Sequence, residues 1–457
     1  MSPTAAAGAA ASAAAPEAVS PEAAASREPA LRPPSHQLFA LIDVNTFYVS
    51  CQRVFEPWLN GRPVVVLSNN DGCCIALSKE AKDAGVQMGE PWFQLAPRAA
   101  RLGVTARSSN YELYGDMSSR VMQIIGEHSP QVEIYSIDEA FAGYRGPLGT
   151  VLPFARDLRA DIRRKLDLPV CVGMGPTKTL AKLANGLAKR FEELRGVCIW
   201  DTLPEATREA LLSQLPVQRV WGVGRRMAEK LQAAGIGSVA DLRTADPVEI
   251  RRRFSVTLMR TVLELRGEPC IDLDESRDLQ DQLIFSRSFA RPVTTAKEME
   301  EVLSSYAQRA AARLRQRSSQ AKTLTVYART AVHSPWAQHS PSVTVPLRSP
   351  TSDPLALTRA AKALLPQMIE GTRYAKAGLV LTDLSRAGEQ LAFDLFAEPA
   401  QEDSLGPLLE DIRSKAGAHA IGLGRSGMKT RSAWEMRRDM MSPRFTTAWD
   451  EVLEVQA

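Results

Sequence analysis

Three acidic residues stand at the ends of apolar stretches, in an arrangement suited to phosphoryl transfer. The apolar run 38–42 ends on Asp43, and a second predicted strand delivers the adjacent pair Asp138 and Glu139. Three carboxylates on strands supply the hard oxygen ligands that two divalent cations need, about 3.5–4 Å apart, to hold the attacking and leaving oxygens. An acidic pair alone is also typical of a solvated hairpin tip. The flanking sequence is therefore needed to distinguish a metal site from such a turn.

Four segments around these acids form a recognisable pattern. They read Asp-Val-Asn-Thr-Phe-Tyr at 43–48, Ser-Asn-Asn-Asp-Gly-Cys at 68–73, Ser-Ser-Asn-Tyr-Glu-Leu-Tyr at 108–114 and Tyr-Ser-Ile-Asp-Glu-Ala-Phe at 135–141. In these segments the sequence resembles the Y-family translesion DNA polymerases, and among them the bacterial UmuC type. The resemblance extends from about Phe39 nearly to the C-terminus and is missing only from the first thirty-odd residues.

The resemblance implies a nucleotidyl-transfer site on the three acids. Asp43 and Asp138 would hold both of two Mg²⁺ ions, and Glu139 would join them at the ion nearest the primer 3′-hydroxyl. The Val44 carbonyl would add a ligand. Asn45 stands where other branches of the family carry an acid, so it is not expected as a required ligand.

Further residues are expected to select and hold the incoming nucleotide. Tyr48 resembles the family's steric gate, a ring beneath the sugar that leaves no room for a 2′-hydroxyl. Phe47 is the neighbouring candidate, and a core aromatic is the alternative interpretation of Tyr48. Lys82 and Lys182 match basic positions that grip the triphosphate, whereas Lys178 is expected to lie at the surface only.

The chain departs from the family pattern near these basic positions. The usual arginine is Lys82, and the usual tyrosine three residues earlier is Lys79, which leaves the role of Lys79 open. Ser109, Tyr111 and Glu112 are expected to brace the fingers rather than to contact the substrate.

The segment 220–231 resembles a helix-hairpin-helix motif. Gly222 and Gly224 let the backbone turn tightly and expose amide N–H groups at a helix N-terminus, where they can hold phosphate oxygens. Arg225 and Arg226 follow directly and favour DNA over the alternative, an ordinary glycine-rich turn between helices. Contacts of this kind position a duplex without reading its bases. Dinucleotide binding is rejected, because the third glycine and a surrounding βαβ unit are missing.

Two features lie near the C-terminus. Gln390, Leu391, Leu395 and Phe396 belong to a peptide that looks like a bacterial sliding-clamp-binding sequence, with a final strand of the preceding domain as the alternative. Beyond it, the basic segment 425–444 carries interspersed Met and Trp residues and resembles the UmuC C-terminal segment. Its composition suggests a partner surface but defines no chemistry.

Composition agrees with a multidomain DNA-binding protein. The chain has 457 residues, too many for one ordinary core, and a net charge of +4. That charge is uneven, since residues 285–389 contain 15 Lys and Arg against 7 Asp and Glu, a difference of +8. Six cysteines without zinc-type spacing suggest reduced thiols in the cytoplasm. The Ala/Pro-rich first 36 residues lack the basic and apolar parts of an export signal, and no membrane span is expected.

The pattern of elements and the resemblance together predict an α+β multidomain fold. It comprises a ferredoxin-like palm with small fingers, a helical thumb with the helix-hairpin-helix, and an α+β little finger. In the little finger, helices are predicted at 296–317 and 355–370 and strands at 323–327, 342–345 and 377–381. The expected segments are a disordered tail (1–36), palm and fingers (37–202), thumb (203–275), little finger (283–389), and the clamp peptide with a UmuC-type tail (390–457).

The predicted function is error-prone, DNA-dependent DNA synthesis past lesions in the SOS response. A noncatalytic DNA- and clamp-binding accessory with a polymerase-like palm is the alternative, and a palm-fold nucleotide cyclase is a weaker third. The resemblance implies primer–template DNA, deoxynucleoside triphosphates and a sliding clamp as partners. It also implies a processed UmuD-type dimer, a recombinase filament, and a cytoplasmic, nucleoid-associated location.

Overall fold

The computed structural model describes residues 36–273, 282–331, 335–387, 405–416, 420–423 and 433–453. Within these residues there are sheets of five, four and three strands. In chain order, the elements of residues 36–199 are β1 (His36–Val44), α1 (Phe47–Phe55), β2 (Val64–Leu67), β3 (Cys74–Leu77), α2 (Lys79–Asp83), α3 (Trp92–Ala99), β4 (Thr105–Ser108), α4 (Tyr111–His128), β5 (Val132–Ile134), β6 (Glu139–Gly146), α5 (Leu148–Leu166), β7 (Val170–Gly175), α6 (Lys178–Arg190) and β8 (Val197–Ile199).

The five-stranded sheet and its helices α1, α4, α5 and α6 form the palm. Its strand order is β5-β6-β1-β7-β8, and β1 lies antiparallel between β6 and β7. Alternate residues of β1 enter different cores, because successive side chains of a strand point to opposite faces. Leu38, Ala40 and Ile42 join the core built with α4 and α5, whereas Phe39 and Leu41 face α6. This arrangement is the predicted ferredoxin-like palm.

The small three-stranded sheet of order β3-β2-β4, with α2 and α3, forms the fingers, inserted in the chain between α1 and α4. The all-apolar run of β2 is buried along its whole length. Ser78 caps α2 by accepting a hydrogen bond from the Ala81 N–H, and the helix ends just before Gly85.

Five short helices follow β8 and form the thumb. Their shared core includes Leu212, Leu231 and Val262, and it also takes in Leu180 and Leu187 from α6 of the palm. The thumb therefore packs against the same helix that covers the palm sheet. Its helices are α7 (Glu205–Gln214), α8 (Arg225–Ala233), α9 (Val239–Thr244), α10 (Pro247–Arg253) and α11 (Val256–Leu265).

The four-stranded antiparallel sheet, of order β11-β10-β12-β9, belongs to the little finger. Its elements are β9 (Gln282–Val293), α12 (Ala296–Gln316), β10 (Ser319–Thr330), β11 (Ser342–Thr351), α13 (Pro354–Ala361) and β12 (Tyr374–Arg386).

The three strands predicted for the little finger are present and longer than expected, and the long helix is confirmed. The helix predicted at 355–370 is wrong in its second half, because α13 ends at Ala361 and a 3₁₀ turn runs over 362–367. Pro366 lies in that turn, and proline cannot supply the N–H that a continuing α-helix needs. No strand was predicted where β9 lies.

The C-terminal region runs back over the molecule. Helix α14 (Leu405–Ala416) contacts α12, where Glu410 pairs with Arg315 at 2.7 Å. Residues 433–453 then contact the little finger, the fingers and the palm in turn. All six cysteines are free thiols. Among the described helices, none has the length and apolarity needed to cross a bilayer.

Candidate active site

Strand pairing brings the three acids to one end of the palm sheet. Asp43 is the cross-strand partner of Glu139 in the antiparallel pair β1–β6. The Val44 N–H donates to the Asp138 carbonyl at 2.9 Å, so the second acid of the pair lies beside the same strand end. The acids predicted from the sequence are therefore brought together by the register of two strands.

Side-chain alternation then turns two of the acids toward α6. Asp43 has the same parity along β1 as Phe39 and Leu41, which contact that helix, so its carboxylate points the same way. On α6, Lys189 Nζ lies 2.5 Å from Asp43 Oδ1, and Lys182 Nζ lies 2.7 Å from Glu139 Oε2. Each of these acids thus has its own ammonium partner.

The close approach of α6 to the sheet depends on a glycine of β7. A Cβ at Gly173 would overlap the backbone N of Asn185 and the carbonyl O of Ala181. The Asn185 amide also donates to the carbonyls of Leu41 and Cys171, at 3.1 and 2.8 Å, which ties the helix to β1 and β7. Helix and strands are therefore held close enough for the lysines to reach the acids.

Burial and proximity perturb the two facing carboxylates. Asp43 is only 6% exposed, and this burial is the main cause that raises its pKa to about 7, assisted by a hydrogen bond to Glu139 and opposed by Lys189. For Glu139, burial raises the pKa, but the Asp43 hydrogen bond and Lys182 outweigh it and hold the pKa below its usual range. Two carboxyl groups in contact oppose each other's ionisation, and this moves the two pKa values apart.

Asp138 occupies a different environment from the other two acids. Its Oδ1 accepts a hydrogen bond from the Ser136 hydroxyl at 2.7 Å, and that hydroxyl oxygen accepts from the Glu139 N–H at 3.0 Å. On its other side lies α1, where burial raises the pKa of Tyr48 and the Asp138 charge adds to that rise. Asp138 is thus oriented by the turn that precedes β6.

A cavity of about 310 Å³ opens beside these acids, between the palm and the fingers. Asp43, Asp138 and Tyr48 line it from the palm, and Lys82 of α2 lines it from the fingers. Lys189 also lines it, whereas Lys182 does not belong to its lining. Of the two lysines predicted to grip a triphosphate, the structure places Lys82 at the cavity and Lys182 on Glu139.

Lys189 was missed by sequence reasoning. It lies seven residues after Lys182, two helical turns along α6, so both lysines lie on one face of the helix. The seven-residue spacing of the two lysines was a usable signal. To use it, one had to know that this helix face covers the strand end that carries Asp43.

The two neighbouring aromatics of α1 have different surroundings. Phe47 is 3% exposed and belongs to the palm core. Tyr48 is partly exposed, stacks on Tyr114 with ring centroids 4.5 Å apart, and meets Tyr111 edge to face at 6.1 Å. Both residues line the cavity, but the Phe47 ring packs in the core whereas stacking holds the partly exposed Tyr48 ring at the wall, so Tyr48 stays the predicted gate.

Two other lysines differ in placement. Lys178 is 2% exposed, so its predicted surface position is wrong. Its ammonium pairs with Glu133 at 2.5 Å and lies 4.8 Å from the centroid of the Phe141 ring, which compensates the buried charge. Lys79 remains exposed and lies 3.8 Å from Glu192, away from the cavity lining.

Aromatic rings link the acids to the thumb. Lys182 Nζ lies 4.4 Å from the centroid of the Tyr135 ring and 5.7 Å from that of Trp221. The Trp221 indole N–H donates to the Tyr135 hydroxyl at 3.0 Å. Because Trp221 directly precedes the glycine hairpin, the partner of Glu139 is held by both the palm and the thumb.

The donor set fits divalent cations. Carboxylate oxygens of the three acids and the Val44 carbonyl are hard ligands of the kind that Mg²⁺ prefers. Among the described residues, no group of three His, Cys, Asp or Glu side chains is spaced to enclose an ion. Ammonium groups contact Asp43 and Glu139, so both carboxylates already accept cationic partners. An ion bound there would take the place of these lysines.

The hairpin of the thumb has the predicted local geometry. Gly222 has a φ of +82°, a conformation that favours glycine, and Gly224 is the N-cap of α8 without any side-chain cap. Arg225 is 92% exposed and pairs with Glu229 one turn on. The first N–H groups of α8 are therefore left to solvent or a ligand. The clamp-peptide residues Gln390, Leu391, Leu395 and Phe396 lie outside the described residues.

Comparisons with known proteins agree with this architecture. Sequence profiles described as the impB/mucB/samB family, its C-terminal domain and its HHH motif match residues 42–186, 280–393 and 205–236. A domain of unknown function (DUF4113) matches residues 403–455.

Whole-chain relatives extend the match. Protein UmuC of Salmonella typhimurium strain LT2 is 44% identical over 92% of this chain and 100% of its own. Protein MucB of Escherichia coli is 39% identical over 91% of this chain and 99% of its own. A Y-family DNA polymerase chimera of Dbh and Dpo4 aligns with a TM-score of 0.60 at 19% identity, covering 76% of this chain and 98% of the chimera.

The palm acids, the hairpin and the little-finger sheet define a translesion DNA polymerase of the Y-family class. Within that class, the chain belongs to the impB/mucB/samB family. It is therefore a DNA-directed DNA polymerase that binds DNA and deoxynucleotides, and neither the accessory nor the cyclase alternative holds. Polymerases of this class use divalent metal ions.

Proposed function

We propose that this polymerase extends primers past lesions by two-metal nucleotidyl transfer as part of the SOS response to DNA damage. The observation that carries the chemistry is the cross-strand pairing of Asp43 with Glu139, with Asp138 beside it at the same strand end. Three acids at one end of a sheet, next to a cavity lined by lysines, suit a reaction that handles a triphosphate.

In this proposal Asp43 and Asp138 hold both Mg²⁺ ions, Glu139 joins them on the primer side, and the Val44 carbonyl adds a ligand. When bound, the ions supply positive charge that stabilises the attacking and leaving oxygens. Asn45 takes no part, in keeping with its side-chain amide donating to Cys171 Sγ at 3.3 Å.

The lysines and the tyrosine at the cavity act on the nucleotide. Lys82 and Lys189 approach the cavity from the fingers and from the palm, so their charges can face the phosphates from two sides. Lys182 contributes indirectly, because its ammonium lies on Glu139 and between two rings. Tyr48, stacked on Tyr114, bounds the sugar and excludes a 2′-hydroxyl.

DNA grip is assigned to the thumb hairpin and to the basic little finger. Gly222 and Gly224 present backbone N–H groups at the start of α8 for phosphate oxygens, and Arg225 adds an exposed charge. Residues 285–389 carry a net charge of +8, from 15 Lys and Arg against 7 Asp and Glu. Such contacts hold the backbone without choosing a sequence.

Primer extension by single variants tests the chemical proposal. Asp43→Ala and Asp138→Ala should each lower the extension rate by at least about a thousandfold, because the charge stabilisation of the transition state is removed. Primer–template affinity should stay within about threefold, since the DNA is held elsewhere. Asp157→Ala, which removes an exposed acid of α5, is the matched control. Extension retained in either acid variant contradicts the assignment.

The wider setting of the enzyme rests on its likeness to UmuC-type proteins. We propose that it works with a processed UmuD-type dimer and a recombinase filament, in the cytoplasm at the nucleoid. A sliding clamp would tether it through Gln390, Leu391, Leu395 and Phe396. Tethering raises the effective concentration of the enzyme at the primer without new contacts at the active site.

The clamp proposal has a separate test. Changing Gln390, Leu395 and Phe396 together to Ala should weaken clamp binding and shorten clamp-dependent products, because the two apolar anchors each contribute about 1.5–3 kcal/mol before ordering costs. Extension on a bare primer should barely change. Unaltered clamp binding by the triple variant would place the contact elsewhere.

A further inference from the structure

Two segments that the sequence singles out lie outside the cavity lining, although Tyr111 and Tyr114 of the second pack on Tyr48. They are the Ser-Asn-Asn-Asp-Gly-Cys segment at 68–73 and the Ser-Ser-Asn-Tyr-Glu-Leu-Tyr segment at 108–114. The cavity beside the acids takes none of its lining residues from either. Both instead contact residues 433–446, which we call the strap.

The first segment receives the strap through side-chain oxygens. The Arg437 N–H donates to Asn70 Oδ1, and the Asp439 N–H donates to Asp71 Oδ2, each at 2.9 Å. Asn70 and Asp71 have φ values of 60° and 51°, in the left-handed region that is costly for residues with a Cβ. This unusual loop conformation is what turns both side chains toward the strap.

The second segment contacts the strap through reciprocal hydrogen bonds between Ser108 and Met440. The Ser108 N–H donates to the Met440 carbonyl, and the Met440 N–H donates to Ser108 Oγ, both at 3.0 Å. The buried amide of Asn110 donates to Ser442 Oγ at 3.1 Å. These are specific backbone and side-chain contacts, so the strap has one register on the fingers.

A charge pair and a ring stack extend the contact toward the palm. Arg438 Nη1 lies 2.8 Å from Glu112 Oε2, so Glu112 serves as the partner of the strap. The ring of Phe445 is buried against Phe55 of α1, with centroids 4.7 Å apart and planes 12° apart. The palm end of the strap is therefore anchored in the core.

The other end of the strap is anchored in the little finger. Trp434 is 7% exposed, with ring centroids 6.5 Å from Phe289 and 6.1 Å from Tyr306, and its carbonyl accepts from the Ala290 N–H at 3.1 Å. Asn70 also bridges the two domains, because its amide donates to the Phe289 carbonyl at 3.1 Å. One short segment thus joins the little finger to the fingers and the palm.

We propose that the strap, which lies within the domain of unknown function, positions the little finger against the fingers before DNA binds. Among the described residues, the strap and the Asn70 amide both tie the little finger to the fingers, so loss of these contacts leaves more of the orientation of the little finger to be fixed when DNA binds. Ordering a domain on binding lowers affinity, whereas a preset domain binds more tightly. The effect on DNA rests on the proposed DNA grip of the little finger, but the docking of the strap does not.

The test combines hydrogen exchange with steady-state kinetics on the full chain. The breaking variant is Asn70→Gly with Arg438→Glu, in which glycine tolerates the positive φ while the bridging amide and the charge pair are removed. Arg438→Glu alone and the swap Glu112→Arg with Arg438→Glu isolate the charge pair. Arg163→Glu is the matched control, because its pair with Asp167 is a similar exposed ion pair on α5.

The breaking variant should exchange the amides of 433–446 at least about tenfold faster than the parent chain. Its KM for primer–template should rise about fivefold while kcat stays within about twofold, because positioning affects binding and not the chemical step. Arg438→Glu should show part of both effects. The swap should return the exchange rate and the KM to the parental values, and the control should match the parent chain.

The strap proposal would be overturned by unchanged exchange in the breaking variant, by faster exchange with an unchanged KM for DNA, or by no recovery in the swap. A fall in kcat equal to the rise in KM would also overturn it, since it would indicate general damage. If the parent chain and the control fail to extend primers, the polymerase proposal fails, while the exchange data still decide whether the strap docks as described.

Discussion

The acid end of the palm and the hairpin of the thumb are both assigned to phosphate handling in the proposed mechanism, yet they are built in opposite ways. Asp43 is buried against Glu139, with its pKa raised by that burial, and has Lys189 beside it. Arg225 is almost fully exposed and pairs with Glu229 in its own helix. In a buried site, neighbouring side chains fix the position of each acid, so a substitution of any neighbour disturbs it. An exposed backbone site is open to a ligand and is less sensitive to substitution of the residues around it.

The largest expected effect is a loss of stability when the packing between β7 and α6, beneath the acids, is disturbed. Gly173→Ala should lower the free energy of unfolding of the palm by about 3 kcal/mol, because its Cβ would overlap the backbone of α6. The urea midpoint measures this decrease. Gly186→Ala, within α6 itself, is the control. Nothing lies within 4 Å of its added Cβ, so this substitution should be neutral or stabilising. A stable Gly173→Ala variant would show that α6 can shift away from the sheet.

The next effect concerns sugar choice at the cavity wall. Tyr48→Ala should raise the ratio of kcat/KM for ribonucleotides over deoxynucleotides about 100-fold, because the stacked ring no longer bounds the sugar. Single-nucleotide insertion measures the ratio. Phe47→Leu is the comparison, and it should affect stability through the palm core while leaving the ratio unchanged. A shift in that variant alone would move the gate to Phe47.

A smaller effect should separate the two lysines of α6. Lys189→Ala should raise the KM for deoxynucleotide about 30-fold, as expected when a charged hydrogen-bond donor is removed from the cavity wall. Lys182→Ala should instead lower kcat, because its ammonium lies on Glu139 and not at the cavity. Single-turnover insertion separates binding from chemistry. Equal changes in both variants would contradict different roles.

The smallest effect should come from the hairpin. Gly224 has a φ of −77°, which proline can adopt, so Gly224→Pro removes one N–H donor with little strain. DNA affinity should fall about fivefold, and the slope of log K against log salt should become shallower by about 0.9 for each phosphate that the variant no longer neutralises. Fluorescence anisotropy over a salt series gives both quantities. Arg163→Ala on the palm serves as control, and a slope that matches it would count against the hairpin.

Local sequence patterns were sufficient to predict features that depend on neighbouring residues along the chain. The apolar run before Asp43 and the turn glycines at 222 and 224 each carry their own signal. Helix α13 was predicted too long, although Pro366 lies inside the predicted span.

The errors elsewhere concern interactions between distant parts of the chain. Lys178 looked like a surface residue until Glu133 of β5 supplied a buried partner. Lys189 could be found only by knowing which helix covers Asp43. The partners of Asn110 and Glu112 lie more than 320 residues further along, at Ser442 and Arg438, and no periodicity links such positions.

The place of Trp434 also bears on how the chain is made. Synthesis runs from the N-terminus, and domains generally fold as units in that order. Phe289 and Tyr306 are translated more than a hundred residues before Trp434, the ring that covers them. On the ribosome, the little finger therefore has an uncovered apolar face until Trp434 emerges, and the palm core likewise lacks Phe445 until that point. The growing chain passes through a stage in which these faces are open to chaperones or to aggregation.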